Sequence, residues 1–146
     1  MRDHRVLLAV AVAYVVAAVV LVAAPWGWEL NRLTVALYAR LSLDWSVAPA
    51  WVAPEHVGML LNVLLFVPAG ALLVALTPVR WWGAVALGAV ASGVIELVQA
   101  QWLDRVGEWS DVVANTLGAA IGALAVTLLS RHRSRRAGRP ASPRRR

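Results

Sequence analysis

Three short series of residues recur at helical spacing and hold most of the polar side chains found within the apolar part of this sequence. Asp111, Asn115, Gly118 and Gly122 are spaced 4, 3 and 4 apart; Gly88, Ser92, Glu96 and Gln99, and again Gly58, Asn62, Phe66 and Ala69, are spaced 4, 4 and 3. At about 100° per residue each series falls on one face of a helix. Glu96 stands out, because a carboxylate inside an apolar run costs a few kcal/mol and must face protein, with a partner or a proton. Arg105 is its natural partner, since a guanidinium can fork onto Glu96 or Asp111. The amides of Asn62, Gln99 and Asn115 can hydrogen-bond a ligand, or simply join helices to one another. Asp111 can equally be a helix N-cap. Glu96 or Asp111 could move a proton while Arg105 steadies an oxyanion or phosphate. Nucleophilic catalysis has no support: there is no Cys, and Ser92 and Ser110 have no His within short range. His4, His56 and His132 are too scattered to suggest a metal site, and no cofactor is expected.

The elements that carry these residues are long apolar runs. Of the 146 residues 60% are hydrophobic and 15% charged, against roughly 25% charged in soluble domains. Residues 6–24, 57–76, 81–98 and 112–129 form four runs rich in Ala, Val and Leu, each near the length that crosses a roughly 30 Å hydrocarbon core as a helix. They do not alternate as the strands of a barrel would. The expected class is all-α, a polytopic membrane protein with four transmembrane helices in residues 1–129. The first run is read as a span rather than a cleaved leader, being longer than a signal-peptide core.

Arginine sets the orientation. All 14 basic residues are Arg; eleven fall on the side of the two termini and three, Arg32, Arg40 and Arg105, on the other. The positive-inside rule then places both termini in the cytoplasm and the chain in the plasma membrane. Residues 25–56 hold Trp26, Trp28, Trp45 and Trp51, which favour the membrane interface. Leu30, Leu33, Leu37 and Leu41 share a helical face there, as in a short helix lying on the bilayer. Residues 130–146 are Arg, Ser, Pro and Gly with almost nothing apolar, and are expected to be disordered. Their arginines suit anionic headgroups, and no specific nucleic acid is implied.

Counted along the helices, Glu96, Asn62 and Asn115 reach similar depths near the extracytoplasmic side, with Gln99, Arg105 and Asp111 at or beyond the boundary. The first helix carries only Tyr14 and no polar stripe, so it belongs at the periphery of a bundle made by the other three. Pro68, with Gly70 two residues later, removes a hydrogen bond from the second helix and is expected to kink it, which could open a recess beneath Asn62.

The series Asn62-Val-Leu-Leu-Phe66-Val-Pro68-Ala-Gly70, then Ile95-Glu96 with Gln99, then Arg105, then Ser110-Asp111-Val-Val-Ala-Asn115-Thr-Leu-Gly118 with Gly122, resembles the VanZ-like family of bacterial membrane proteins over residues 57–129. The resemblance implies a small helical membrane protein. The family's name-giving member accompanies glycopeptide resistance genes and raises tolerance to the lipoglycopeptide teicoplanin. Its characteristic positions carry over to Asn62, Phe66, Pro68, Gly70, Glu96, Gln99, Arg105, Asp111, Asn115 and Gly118. The Trp-rich first connection and the Arg tail are departures from the family pattern.

Two functions of different class follow. In the first, an outer-leaflet polar recess binds an envelope lipid, a lipid-linked molecule or another amphiphile. In the second, a membrane-embedded enzyme acts on an envelope lipid or peptide, with Glu96 or Asp111 as acid or base. A transporter would need a continuous water path, which polar groups at a single leaflet do not supply.

Overall fold

The computed structural model describes residues 2–23, 27–102 and 109–137. Among them the chain is helical without strands: α1 (Arg2–Ala23), α2 (Gly27–Ala39) running into a π-helical turn (Arg40–Asp44), α3 (Pro54–Leu76), α4 (Trp81–Trp102) and α5 (Trp109–Ala137). Four are long and apolar enough to cross a membrane, at His4–Leu21, Pro54–Leu76, Trp81–Gln101 and Trp109–Arg135. Helices suit such segments because every backbone polar group is satisfied within the segment itself.

The helices outrun the apolar runs, and the added residues suit helix ends. α3 starts at Pro54, where a missing N–H costs nothing. Glu55 follows in the first turn, and His56 Nδ1 accepts a hydrogen bond from the Ala53 N–H at 3.0 Å. α5 starts at Trp109, so Asp111 lies within its first turn and is not the N-cap; a carboxylate there still meets the positive end of the helix dipole. At its far end α5 continues to Ala137, where composition predicts disorder from Ser130 onward. Extending an existing helix needs no new nucleus, and Arg is a good helix former. The hydroxyls of Ser130 and Ser134 donate to the carbonyls of Val126 and Ser130, at 2.9 and 3.1 Å. The rest of the expected disordered tail, residues 138–146, lies outside the described residues.

α5 is the centre of the bundle. α3 and α4 both pack mainly on it and only slightly on each other. α3 and α5 run parallel: a Cβ on Gly118 would collide with the Val63 carbonyl oxygen and Phe66, and one on Gly122 with the Val67 carbonyl oxygen and the Ala71 nitrogen. Gly70 meets the Ala119 backbone in the same way. The GxxxG pair of α5 therefore serves a contact inside the chain, bringing two backbones close enough for Cα–H···O attraction. α4 runs antiparallel to α5, with Gly88 against Ala119 Cβ. The core is built of small residues, Ala84, Ser92, Ala114, Ala119 and Ala123, while large Val and Leu side chains point outward on every span. That inversion fits lipid as the solvent, where association rests on close packing rather than on hiding apolar surface.

α1 is peripheral, as its single polar residue predicts; none of its span is buried. Its anchor is the Tyr14 hydroxyl, which donates to the Leu65 carbonyl at 2.8 Å. That carbonyl neighbours the one that Pro68 deprives of its helical N–H. Tyr14→Phe is expected to destabilise the protein by about 0.6 kcal/mol, the average for interhelical hydrogen bonds in membranes. Thermal unfolding in detergent measures that loss, and faster hydrogen exchange across α1 would accompany it. Pro68 itself is exposed and α3 is continuous through it from Pro54 to Leu76.

The helix expected between the first two spans is present as α2, but its inward face is offset from the leucine series. Leu30, Thr34, Tyr38 and Leu41 are half-buried, whereas Leu33 and Leu37 are exposed. The reason lies in α3: Gly58 has no side chain, and the Thr34 methyl occupies the space a Cβ there would approach, at 3.7 Å. Past α2, an Arg40–Asp44 ion pair at 3.2 Å spans the π turn, and Ser46 at φ 51° redirects the chain toward α3.

Candidate functional site

Asn115 on α5 is the pivot of the polar level. It is 5% exposed, and its Nδ2 donates to the fully buried Ser92 Oγ of α4 at 2.8 Å. Together with the Gly88–Ala119 contact, this fixes the antiparallel register of α4 and α5. One turn further along each helix, toward Trp102 on α4 and toward Trp109 on α5, the same register sets Glu96 level with Asp111. α3 joins through its parallel register: Gly118 against Val63 and Phe66, and Gly122 against Val67 and Ala71, set Asn62 level with Asn115. From the helix ends at Trp102, Trp109 and Pro54, Glu96 and Asn115 lie about 9 Å in and Asn62 about 12 Å in. Since each helix is a few residues longer than its apolar run, this level sits about one turn deeper from the helix ends than the runs alone imply.

The expected residues separate by role. Glu96, Gln99 and Asp111 are half-buried, and each, like Ser110, has an interaction partner. Asn62 is half-buried and makes no hydrogen bond among the described residues. Phe66, Gly70 and Gly118 belong to the α3–α5 contact, and Pro68 is exposed. Arg105, the expected partner of Glu96, lies outside the described residues. Ser92, on the inward-facing Gly88–Glu96 stripe, serves as the fully buried hydrogen-bond partner of Asn115; its place on that stripe is the signal in the sequence that points to it.

The most informative atom is Asn115 Oδ1, which is buried and has no hydrogen-bond partner among the described residues. An unmatched acceptor costs about 1–3 kcal/mol. Helical side chains lean toward the N-terminus of their own helix, so Asn115 leans along α5 toward Asp111 and the level of Glu96. Among the described residues no group of three or more His, Cys, Asp or Glu is placed to hold a metal ion.

The surroundings differ sharply between the two ends of the bundle. Where α3 and α5 begin, Trp28, Trp45, Trp51 and Trp109 are exposed, and Trp51 packs edge-on against His56. Among the described residues this end holds five carboxylates, Glu29, Asp44, Glu55, Glu96 and Asp111, and two arginines, Arg32 and Arg40. At the opposite end Trp81 and Trp82 are exposed, and Leu128, Arg131, His132 and Arg135 line a shallow recess on α5. Tryptophans at both ends of the spans fit two membrane–water interfaces.

Among known proteins, no curated protein and no solved structure matches the chain. A family model does: the one described as VanZ/LLP1 matches residues 9–130. The match takes in the Asn62 and Phe66–Gly70 segment of α3, the Ser92–Gln99 stripe of α4 and the Asp111–Gly122 stripe of α5. The chain belongs to the VanZ/LLP1 family.

Proposed function

We propose that this protein is a non-catalytic plasma-membrane component whose polar level opens to the outer leaflet and binds an envelope lipid or other amphiphile. Both termini then lie in the cytoplasm, as the arginine distribution requires. By altering the availability of that amphiphile at the surface, the protein modulates tolerance to (lipo)glycopeptide antibiotics. The observation that carries this reading is the buried Asn115, with one amide atom bound to Ser92 and the other unmatched, level with Asn62 and one turn below Glu96 and Asp111. Three helices spend scarce polar groups on one level, where packing alone would be served by Ala and Gly. Glu96 and Arg105 complement a zwitterionic or phosphate-bearing headgroup, and the amides supply hydrogen bonds. At the cytoplasmic end Arg131, His132 and Arg135 fall at headgroup height, where each basic residue gains about 1 kcal/mol from anionic lipid.

The test is lipid copurification. Wild-type protein extracted in mild detergent is expected to retain a defined lipid, and a Glu96→Ala, Arg105→Ala double variant to lose it along with any tolerance phenotype. Identical lipid content and phenotype in the two proteins would end the proposal. Glu96 on α4 and Asp111 on α5, at one level of the bundle, also suit acid–base roles acting on an envelope lipid or peptide. Glu96→Gln separates the readings, since it keeps the shape of the recess and removes proton transfer. Under the binding proposal the tolerance phenotype changes less in Glu96→Gln than in Glu96→Ala; complete loss in both favours the enzyme.

A further inference from the structure

The far end of α5 carries a stripe that the polar level does not use. Ile121, Leu124, Leu128, Arg131, His132 and Arg135 fall within about 100° of one another around the helix, on the side turned away from the Gly118, Ala119 and Gly122 contacts. All six are exposed, and the last three line a recess of about 120 Å³ together with Leu128. We infer that this stripe seats one anionic phospholipid, with an acyl chain along Ile121, Leu124 and Leu128 and the phosphate held between Arg131 and Arg135.

Height is the first ground. The register that sets Ser92 against Asn115 and Gly88 against Ala119 also sets the exposed Trp81 of α4 level with Val126, and Trp marks the membrane interface. Leu128 then lies about 3 Å beyond that level, Arg131 about 8 Å and Arg135 about 14 Å. Their side chains lean back toward the N-terminus of α5, and so toward the membrane. Charge is the second ground. Arg131, His132 and Arg135 make no hydrogen bond or ion pair among the described residues. The nearest carboxylate on α5 is Asp111, about 30 Å along the helix from Arg131. Arg131 and Arg135, one turn apart on one face, repel each other. A phosphate between them removes that repulsion and accepts hydrogen bonds from both guanidiniums. A choline headgroup instead adds a cation where two already stand, and a second copy of the chain brings the same arginines. The negative end of the helix dipole at Ala137 disfavours an anion on the axis, so the phosphate arrives from the lipid side. The seat shares no residue with the polar level and holds whichever leaflet borders this end.

Diffuse attraction of a basic segment to an anionic surface counts every arginine alike; a seat does not. Arg133 is exposed as well, but it lies about 160° around α5 from both Arg131 and Arg135. The experiment is native mass spectrometry of the full chain in detergent with equal amounts of phosphatidylglycerol and phosphatidylcholine. Wild type is expected to retain phosphatidylglycerol about tenfold more strongly, the effect of one charge-assisted hydrogen bond. Arg131→Gln and Arg135→Gln are each expected to remove most of that preference, and Arg133→Gln to leave it. All three change exposed side chains beyond the apolar run, so they are expected to share the wild-type thermal transition. Equal retention of the two lipids by wild type overturns the inference, and so does an equal loss in Arg133→Gln. Displacement of the lipid by an equal amount of glycerol phosphate would assign the arginines to a soluble anion, and displacement by a short oligouridylate to nucleic acid. Either result overturns the lipid seat.

Discussion

Gly122→Val is expected to abolish the folded bundle, whereas Gly93→Ala, on the neighbouring helix, leaves it intact or slightly more stable. The contrast rests on what a new Cβ would meet. At Gly122 it would enter the space of the Val67 carbonyl oxygen and crowd the Ala71 nitrogen, both backbone atoms that no rotamer change can move. At Gly93 nothing lies within 4 Å. Overpacking a tight core typically costs about 1–3 kcal/mol. Here the whole α3–α5 interface must separate to admit a Cβ and its two methyl groups, so the loss exceeds that range. In lipid no hydrophobic driving force compensates for lost van der Waals contact. At Gly93 the only change is relief from glycine's poor helix propensity, a gain of about 0.5–1 kcal/mol. Size-exclusion profiles after graded heating in detergent measure both. Gly122→Val should run as aggregate without heating, with Gly93→Ala at or above the wild-type transition. Equal behaviour of the two variants would mean that α3 and α5 do not approach as closely as their glycines imply.

These two glycines show where sequence is informative and where it falls short. That Gly118 and Gly122 admit a neighbouring backbone is legible from GxxxG. Which backbone they admit is not, because periodicity describes one helix at a time and carries no register between helices. The stripes of α3, α4 and α5 were readable for the same reason, since 3.6-residue spacing marks an inward face whatever it faces. Pairing of Ser92 with Asn115, and the common level of Glu96 and Asp111, depends on the relative height of α4 and α5. That height is set by contacts such as Gly88 on Ala119, which no single run contains. Composition does not reveal that α5 runs on to Ala137, because it measures what a segment can bury, and Ser130 to Ala137 need bury nothing to extend a helix already formed. The leucine series of α2 marks a face that suits the bilayer, and Leu33 and Leu37 are exposed; what sequence alone does not give is the side that packs on α3, where Gly58 accepts Thr34.

Asn115→Leu is expected to separate stability from function. Leucine has the same branching as asparagine and removes both polar atoms at once. The hydrogen bond lost with Ser92 is worth about 0.6 kcal/mol on average in membrane bundles. Ser92 can turn its hydroxyl to a carbonyl of its own helix, as Thr116 does to Val112 O at 2.7 Å. Against that small loss stands the removal of Asn115 Oδ1, an unmatched buried acceptor whose burial costs about 1–3 kcal/mol. The balance favours the variant unless the two methyl groups that replace the amide oxygen and nitrogen overpack the α4 contact, which typically costs about 1–3 kcal/mol. The expected result is a folded protein with a thermal transition at or above wild type and about tenfold weaker retention of its ligand, the loss of one hydrogen bond. A residue kept at a cost to stability is the signature of a site, since a purely structural asparagine would be missed by the fold. If Asn115→Leu instead unfolds at markedly lower temperature, its amide is there to join α4 to α5, and the recess loses its central acceptor. If the variant is as stable as wild type and holds its ligand unchanged, the site lies elsewhere in the bundle.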